Sequence, residues 1–260
     1  MICERTRTSD ISIGFTKWKQ ILSTICKNPK ICEMVIMDFS WVLLHSTLKV
    51  LMETDISTYL KTLYKQLCEN TGPLPTIILL DKLHLIKIFI TAARKHANRE
   101  TADKFVTVFL KVLSCRNLEA IKQLWRVLCQ MFGLQKMRQD IFKEVDSVCE
   151  KIDQRSSFLV SSGDVFNDEE VEDEEICLNS INGIRRNSPF KKMFESLLDE
   201  VLLENEEEAV DIDEEDEDVI RGDNKFYNKK LLSYFLFNYM TLLPLITLAV
   251  VPSQYKGKNR

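Results

Sequence analysis

Hydrophobic and polar positions along the chain mostly follow the period of an α-helix. Apolar residues recur every three or four positions in most segments, a spacing that predicts amphipathic helices with one buried face. The predicted helices cover residues 16–26, 41–52, 82–97, 102–113, 117–132 and 135–152. Two short apolar runs, 31–37 and 76–80, instead predict buried strands. The fold class that follows is mostly α with a small β component.

Polar side chains mark where several of these helices begin. Ser40 and Asn117 precede predicted helices, and either Asp55 or Ser57 precedes another. Such side chains accept hydrogen bonds from the free N–H groups of the first turn. Ser188 followed by Pro189 predicts a further helical start, because proline fits the first helical position.

Changes in composition divide the chain into six segments. The first, 1–100, is predicted as an α/β unit with two strands, and a helical region follows it. The remaining boundaries enclose an acidic linker, an amphipathic helix, an acidic disordered run and an apolar C-terminal helical segment with basic flanks. The five later segments are 101–155, 156–187, 188–204, 205–224 and 225–260.

The net charge of −4 conceals a strong separation of charge along the chain. Residues 164–223 hold 23 acidic and 5 basic side chains, whereas residues 1–163 hold 16 acidic and 24 basic ones. A charge separation of this kind can mark either nucleic-acid contact or a tail that masks the body of its own chain. A solvated surface without a ligand gives the same pattern.

Residues 231–251 are uncharged, and about 20 apolar residues are enough to cross a bilayer. Polar side chains dilute this run, which lowers its tendency to insert into a membrane. The interior polar positions include Ser233, Asn238, Thr241 and Thr247, together with the helix breaker Pro244. We expect no membrane span, although a tail anchor stays a third interpretation.

The eight cysteines include no CxxC pair, and the polar first ten residues do not look like a signal peptide. We therefore expect a nuclear or cytoplasmic protein rather than a secreted one, without disulfides or structural zinc. The chain contains no GxSxG, GxGxxG, HExxH or Walker sequence.

Acidic side chains follow both predicted strands. Asp38 comes after ICEMVIM, and Asp81 comes after TIILL with His84 one helical turn later. The carboxyl ends of parallel strands are where sites form in α/β sheets, and a carboxylate there can bind a divalent metal. The alternative is that each aspartate only caps the helix that follows it.

Several of these motifs together resemble transposases of the Mutator-like group. VIMDFSWVLLHSTL resembles their V-x-D-x-S-x-x-L stretch, and IILLDKLHLIKIF resembles their (C/D)-x-x-H element. The helices over 105–132 and the C-terminal region, NSPFKKMFESLLDEV through NKFYNKKLLSYFLFNYMTLLPL, resemble the rest of the family pattern. The resemblance covers most of residues 31–245.

The resemblance implies a partial RNase H-like core in which Asp38 is the second of three metal-binding acids. Asp81 and His84 match the family's later motif. Only 37 residues precede Asp38, which leaves no room for the first catalytic aspartate and its strands. Glu119 and Glu144 are candidates for the third acid. Asp38 would then bind Mg²⁺ only in a full-length active ancestor, and we expect no cofactor here.

The function expected from the resemblance is that of a catalytically inactive, transposase-derived remnant with weak, non-specific DNA binding. Six cations are the expected contacts to phosphate: Lys82, Lys87, Arg94, Lys95, Arg99 and Lys104. The alternative is a helical module that binds protein partners through the apolar faces of 190–202 and 231–245, without a role on nucleic acid.

Overall fold

The computed structural model describes residues 8–25, 33–71, 75–138, 141, 147, 178–210 and 221–251. Its first half contains α1 (Thr8–Ile25), β1 (Met34–Met37), α2 (Trp41–Leu51), α3 (Ile56–Tyr64), β2 (Ile77–Leu80), α4 (Lys82–His96), α5 (Arg99–Ser114), α6 (Leu118–Gly133) and β3 (Lys136–Arg138). Its second half contains α7 (Leu178–Arg186), α8 (Pro189–Val210), β4 (Arg221–Asp223), α9 (Lys229–Asn238) and α10 (Leu243–Ile246). The predicted fold class, mostly α with a small β component, is confirmed.

Both predicted strands are present and pair with each other. β1 and β2 run parallel, with Met34 opposite Ile77 and Met37 opposite Leu80. Helices α2 and α3 lie in the crossover between them, and all four residues of β2 are buried. Strands β3 and β4 form a separate two-stranded sheet, in which they run antiparallel.

Local capping chemistry sets the helix starts as predicted. The Ser40 side chain accepts from the Leu43 N–H, and the Asn117 side chain accepts from the Ala120 N–H. Asp55 caps α3, which decides between the two candidates at that position. Helix α8 begins at Pro189, and the preceding Ser188 hydroxyl donates to the Thr241 carbonyl at 2.6 Å.

A single hydrophobic core joins both halves of the chain. Phe89 and Phe105 from α4 and α5 pack edge-to-face on Phe235 of α9, at ring distances of 5.8 and 4.6 Å. Trp125 of α6 is fully buried, and its indole N–H donates to the Phe194 carbonyl of α8 at 3.1 Å. The helices after residue 178 therefore pack into the same hydrophobic core as the earlier helices.

The apolar C-terminal segment is not one helix, as the sequence predicted, but a broken series. Helix α9 ends at Asn238, and a 3₁₀ turn precedes the short α10, in which Pro244 takes an early position. The stretch Lys229–Val250 is long and apolar enough to cross a membrane, yet 72% of its most apolar window is buried inside the protein. In this structure, the segment therefore forms part of the hydrophobic core.

The apolar faces proposed for binding protein partners are buried as well. Five of their members are fully enclosed by the chain itself: Phe190, Phe194, Leu231, Phe235 and Leu243. A protein partner would have to use another surface.

Three predicted segments differ from the structure in their secondary structure. The predicted helix 135–152 contains strand β3 at Lys136–Arg138, because that segment pairs with β4. The predicted linker 156–187 contains helix α7. Helix α8 continues to Val210, so residues 205–210 of the predicted disordered run are helical. The rest of these segments, apart from Ile141, Ser147 and residues 221–224, lies outside the described residues.

Helix α1 differs in another way, because it begins eight residues before the predicted start and turns its apolar residues outward. The apolar face predicted by the spacing includes Trp18, Ile21 and Ile25, and their exposed fractions are 40%, 57% and 74%. Helical periodicity shows that such a face exists but not what lies against it.

Candidate functional site

The two aspartates lie side by side at the carboxyl edge of the small sheet. They follow Met37 and Leu80, which are opposite each other in the parallel ladder. The Asp81 N–H donates to the Met37 carbonyl at 2.7 Å. The placement expected from the sequence is therefore present for Asp38 and Asp81.

The contacts of Asp81 are those of a helix cap. Its Oδ1 accepts from the His84 N–H at 3.0 Å, at the start of α4. Asp38 is exposed, and its carbonyl accepts from the Ser40 N–H at 2.8 Å. The link between Asp81 and His84 therefore joins the Asp81 carboxylate to the His84 backbone N–H and does not involve the imidazole. His84 is half-buried.

These residues do not fit a two-metal site. A two-metal centre needs several carboxylates converging on ions about 4 Å apart, and one Asp81 oxygen already caps α4. Among the residues that the structure describes, no group of three or more His, Cys, Asp or Glu side chains comes together. Glu119 is exposed in the first turn of α6 near Lys122, and Glu144 lies outside the described residues.

The six predicted DNA contacts do not form one surface. Lys82 and Lys95 lie near opposite ends of the fifteen-residue helix α4, about 20 Å apart by the rise of an α-helix. Burial, together with the nearby Arg116 charge, lowers the pKa of Lys82. Lys87 and Lys104 are half-buried. Only Arg94, Lys95 and Arg99 remain as a compact, exposed group.

The fold brings a second basic segment to this group. The Asn228 side chain donates to the His96 carbonyl at 3.0 Å and also accepts from the Leu231 N–H, so it caps α9 against the end of α4. The His96 ring lies 4.2 Å from the ring of Tyr234. These contacts place the start of α9 beside the turn between α4 and α5.

We call the resulting surface the basic corner. It consists of six exposed cations that come from two segments more than a hundred residues apart: Arg94, Lys95, Arg99, Lys225, Lys229 and Lys230. Tyr227, with 40% of its surface exposed, lies between Lys225 and Lys229 in the sequence.

The charge of the basic corner is only partly balanced. Asp103 accepts ion pairs from Arg94 at 3.5 Å and from Arg99 at 3.7 Å. Glu100 pairs with Lys225 at 2.6 Å. Among the residues that the structure describes, two carboxylates pair with three of these six cations, which leaves an excess of four positive charges.

The pKa of His96 responds to this excess. Burial is the largest cause of the lowered pKa of His96, and the charges of Lys230 and Lys95 lower this pKa further. Lysines from the two separate segments therefore act on one imidazole, which places both within electrostatic reach of it.

Sequence reasoning found half of this surface. Along the sequence, Lys225, Lys229 and Lys230 form only the basic flank of the apolar C-terminal segment. The signal that would have joined them to Arg94 and Lys95 is a tertiary contact through Asn228 and His96, which no spacing along the chain encodes.

Comparisons of the chain with protein-family models, with curated proteins and with solved structures find no match.

Proposed function

We propose that this protein binds nucleic-acid phosphates weakly and without sequence preference through the basic corner. The observation that carries the proposal is the convergence of two basic segments on one exposed surface, where the described residues leave an excess of four positive charges. Lys and Arg side chains that neutralise phosphates release condensed counterions, which supplies most of the affinity of non-specific DNA binding.

We further propose that the chain descends from a Mutator-like, RNase H-like transposase and does not cleave DNA. The parallel pair β1–β2, the helical crossover between these strands and the adjacent Asp38 and Asp81 support this ancestry. The lack of fit to a two-metal centre supports the loss of cleavage. Asp38 is then a vestige of a Mg²⁺ ligand, and Asp81 serves to cap α4.

A variant that removes charge from the basic corner tests the binding proposal. Lys95, Lys229 and Lys230 are exposed, and replacing all three with Gln removes three charges while keeping an unbranched, polar side chain at each position. We expect affinity for a 20-base-pair duplex at low salt to fall at least about tenfold. We also expect the slope of log K against log salt to shrink by about 2 to 3. Fluorescence anisotropy at several salt concentrations measures both.

A matched variant controls for net charge. Lys49, Lys61 and Lys65 are exposed cations on α2, α3 and the turn that follows α3, and changing them to Gln lowers the net charge equally. The control should bind nearly as tightly as the wild type. Equal losses in the two variants would show that binding follows overall charge and not this surface, and an unaffected corner variant would reject the proposal.

A further inference from the structure

Tyr227 is the exposed aromatic side chain of the basic corner. Its surface is 40% exposed, whereas the neighbouring Phe226 is 6% exposed and belongs to the hydrophobic core. Lys225 lies on one side of Tyr227 in the sequence, and Lys229 and Lys230 lie on the other. A planar ring is thus presented to solvent within a surface that carries an excess of positive charge.

The turn that carries Tyr227 is fixed to the end of helix α6. The Asn224 side chain donates to the Met131 carbonyl and to the Leu134 carbonyl, each at 2.7 Å. The Asn224 carbonyl accepts from the Tyr227 N–H at 3.1 Å, and Asn224 Oδ1 accepts from the Phe226 N–H at 2.9 Å. The backbone of Tyr227 is therefore held in place before any ligand binds, which lowers the entropic cost of using its ring in recognition.

A pair of rings from two helices lies in the same surface. The His96 and Tyr234 rings are 4.2 Å apart, and both residues are half-buried. Lys95 precedes His96 in the sequence, and Asn228, the residue after Tyr227, donates to the His96 carbonyl at 3.0 Å. Aromatic rings from both basic segments are therefore interspersed with the cations of the basic corner.

Aromatic rings among cations suit an unpaired base better than a base pair. The bases of a duplex are stacked on each other and present only their edges in the grooves, whereas an unpaired base exposes its π-face. Proteins that bind single strands combine a positively charged surface along the backbone with aromatic side chains on which bases stack. A surface that contacted only the phosphates of a duplex would need the cations but not the ring.

We propose that the basic corner prefers single-stranded nucleic acid, in which an unpaired base stacks on the Tyr227 ring while adjacent phosphates contact Lys225, Lys229 and Lys230. This inference rests on the proposed function and adds the form of nucleic acid that the surface selects. Every base has a π-face, so stacking agrees with binding that lacks sequence preference. Single-stranded DNA and RNA share this chemistry, and separate probes distinguish them.

Fluorescence anisotropy with the full chain at about 0.15 M salt tests this preference. The labelled probes are oligo(dT), oligo(rU), a duplex and an abasic deoxyribose-phosphate strand, each of about 20 nucleotides, which exceeds the site size of most single-strand-binding domains. The abasic strand keeps the phosphates and lacks the bases. We expect the wild type to bind oligo(dT) or oligo(rU) more tightly than the duplex and the abasic strand, and the tighter of the two identifies the sugar.

Tyr227→Ala removes the proposed stacking platform without changing charge. We expect it to weaken binding of the preferred oligomer at least about fivefold, and binding of the duplex and the abasic strand less than about twofold. Tyr227→Phe keeps the ring and should bind like the wild type. Trp18→Ala removes a ring that is also 40% exposed but lies on α1, outside the basic corner, and it should leave binding unchanged.

Three results would overturn this inference. The first is a wild type that binds the duplex more tightly than either oligomer, and the second is a Tyr227→Ala protein that is folded by circular dichroism and binds the oligomers as the wild type does. The third is an equal loss of affinity for all four probes. The proposed function survives each of these results if Lys95→Gln, Lys229→Gln and Lys230→Gln together still weaken duplex binding, and it fails if they do not.

Discussion

His96 joins the two segments of the basic corner through both its backbone and its ring. Its carbonyl accepts from Asn228, its ring contacts Tyr234, and its Nδ1 atom is buried without a hydrogen-bond partner among the described residues. A charged imidazole is disfavoured in this position, because protonation would add a positive charge beside Lys95 and Lys230.

The lowered pKa of His96 predicts a pH dependence of stability. As pH falls below 6.5, the unfolded chain binds a proton at this imidazole before the folded chain does. The contribution of His96 is therefore complete above about pH 6.5 and is lost as pH falls from there toward the lower folded-state pKa. His96→Gln should lose less stability than the wild type between pH 7.5 and 5.5, measured by urea titration.

His45 does not interfere with this comparison. Its pKa is also lowered, chiefly by burial, and it shifts the stability of both proteins in the same direction. An identical pH dependence in the wild type and in His96→Gln would show that the two basic segments do not act on this imidazole.

At the scale of elements, Tyr59 fixes the outer edge of β2 to helix α3. Its hydroxyl is both acceptor and donor to the strand backbone, and burial raises its pKa, so it stays protonated. The contact holds the sheet against the helical layer.

Tyr59→Phe should therefore destabilise the protein by about 1–3 kcal/mol, because a buried N–H and a carbonyl lose their partner. Amide exchange at Ile78 should accelerate more than exchange at the core of α6. Urea titration and hydrogen exchange measure these two effects. A stability within about 0.5 kcal/mol of the wild type would contradict the role of this hydroxyl.

Local signals predicted most elements, and tertiary contacts explain where prediction failed. Ser40 and Asn117 cap their helices because a cap depends on three neighbouring residues. The short strand at Lys136–Arg138 was wrongly predicted as helix, since its partner Arg221–Asp223 lies more than eighty residues away. The exposure of the apolar face of α1 could not be predicted for the same reason, because helical periodicity does not encode tertiary contacts.

In the candidate site, too, one part could be predicted from local signals and another part depends on tertiary contacts. The adjacency of Asp38 and Asp81 could be predicted, because the carboxyl ends of parallel strands share an edge. The basic corner could be predicted only in part, because its second half depends on the packing of α9 against α4.

At the scale of the whole molecule, the acidic segment is partly structural. Helix α8 buries Phe190 and Phe194 in the core, and Arg126 of α6 pairs with Glu200 on its surface. Deleting residues 164–223 would therefore remove part of the interior together with the negative charge. Substitution of acidic side chains is the better test of masking.

Residues 211–218 hold seven acidic side chains, and replacing all seven with Asn or Gln should tighten DNA binding at low salt. The physical reason is that the acidic run competes with phosphate for the basic corner. The gain should vanish at high salt, where charges are screened. Anisotropy titrations measure it, and unchanged affinity at low salt would show that this run does not mask the surface.

The most direct test of the central claim is to map the amide signals of the protein by two-dimensional NMR during titration with a short duplex. Binding at the basic corner predicts that signals from 94–99 and 225–230 shift together and return as salt is raised. Shifts centred instead on Asp38 and Asp81, or no shifts at low salt, would contradict it.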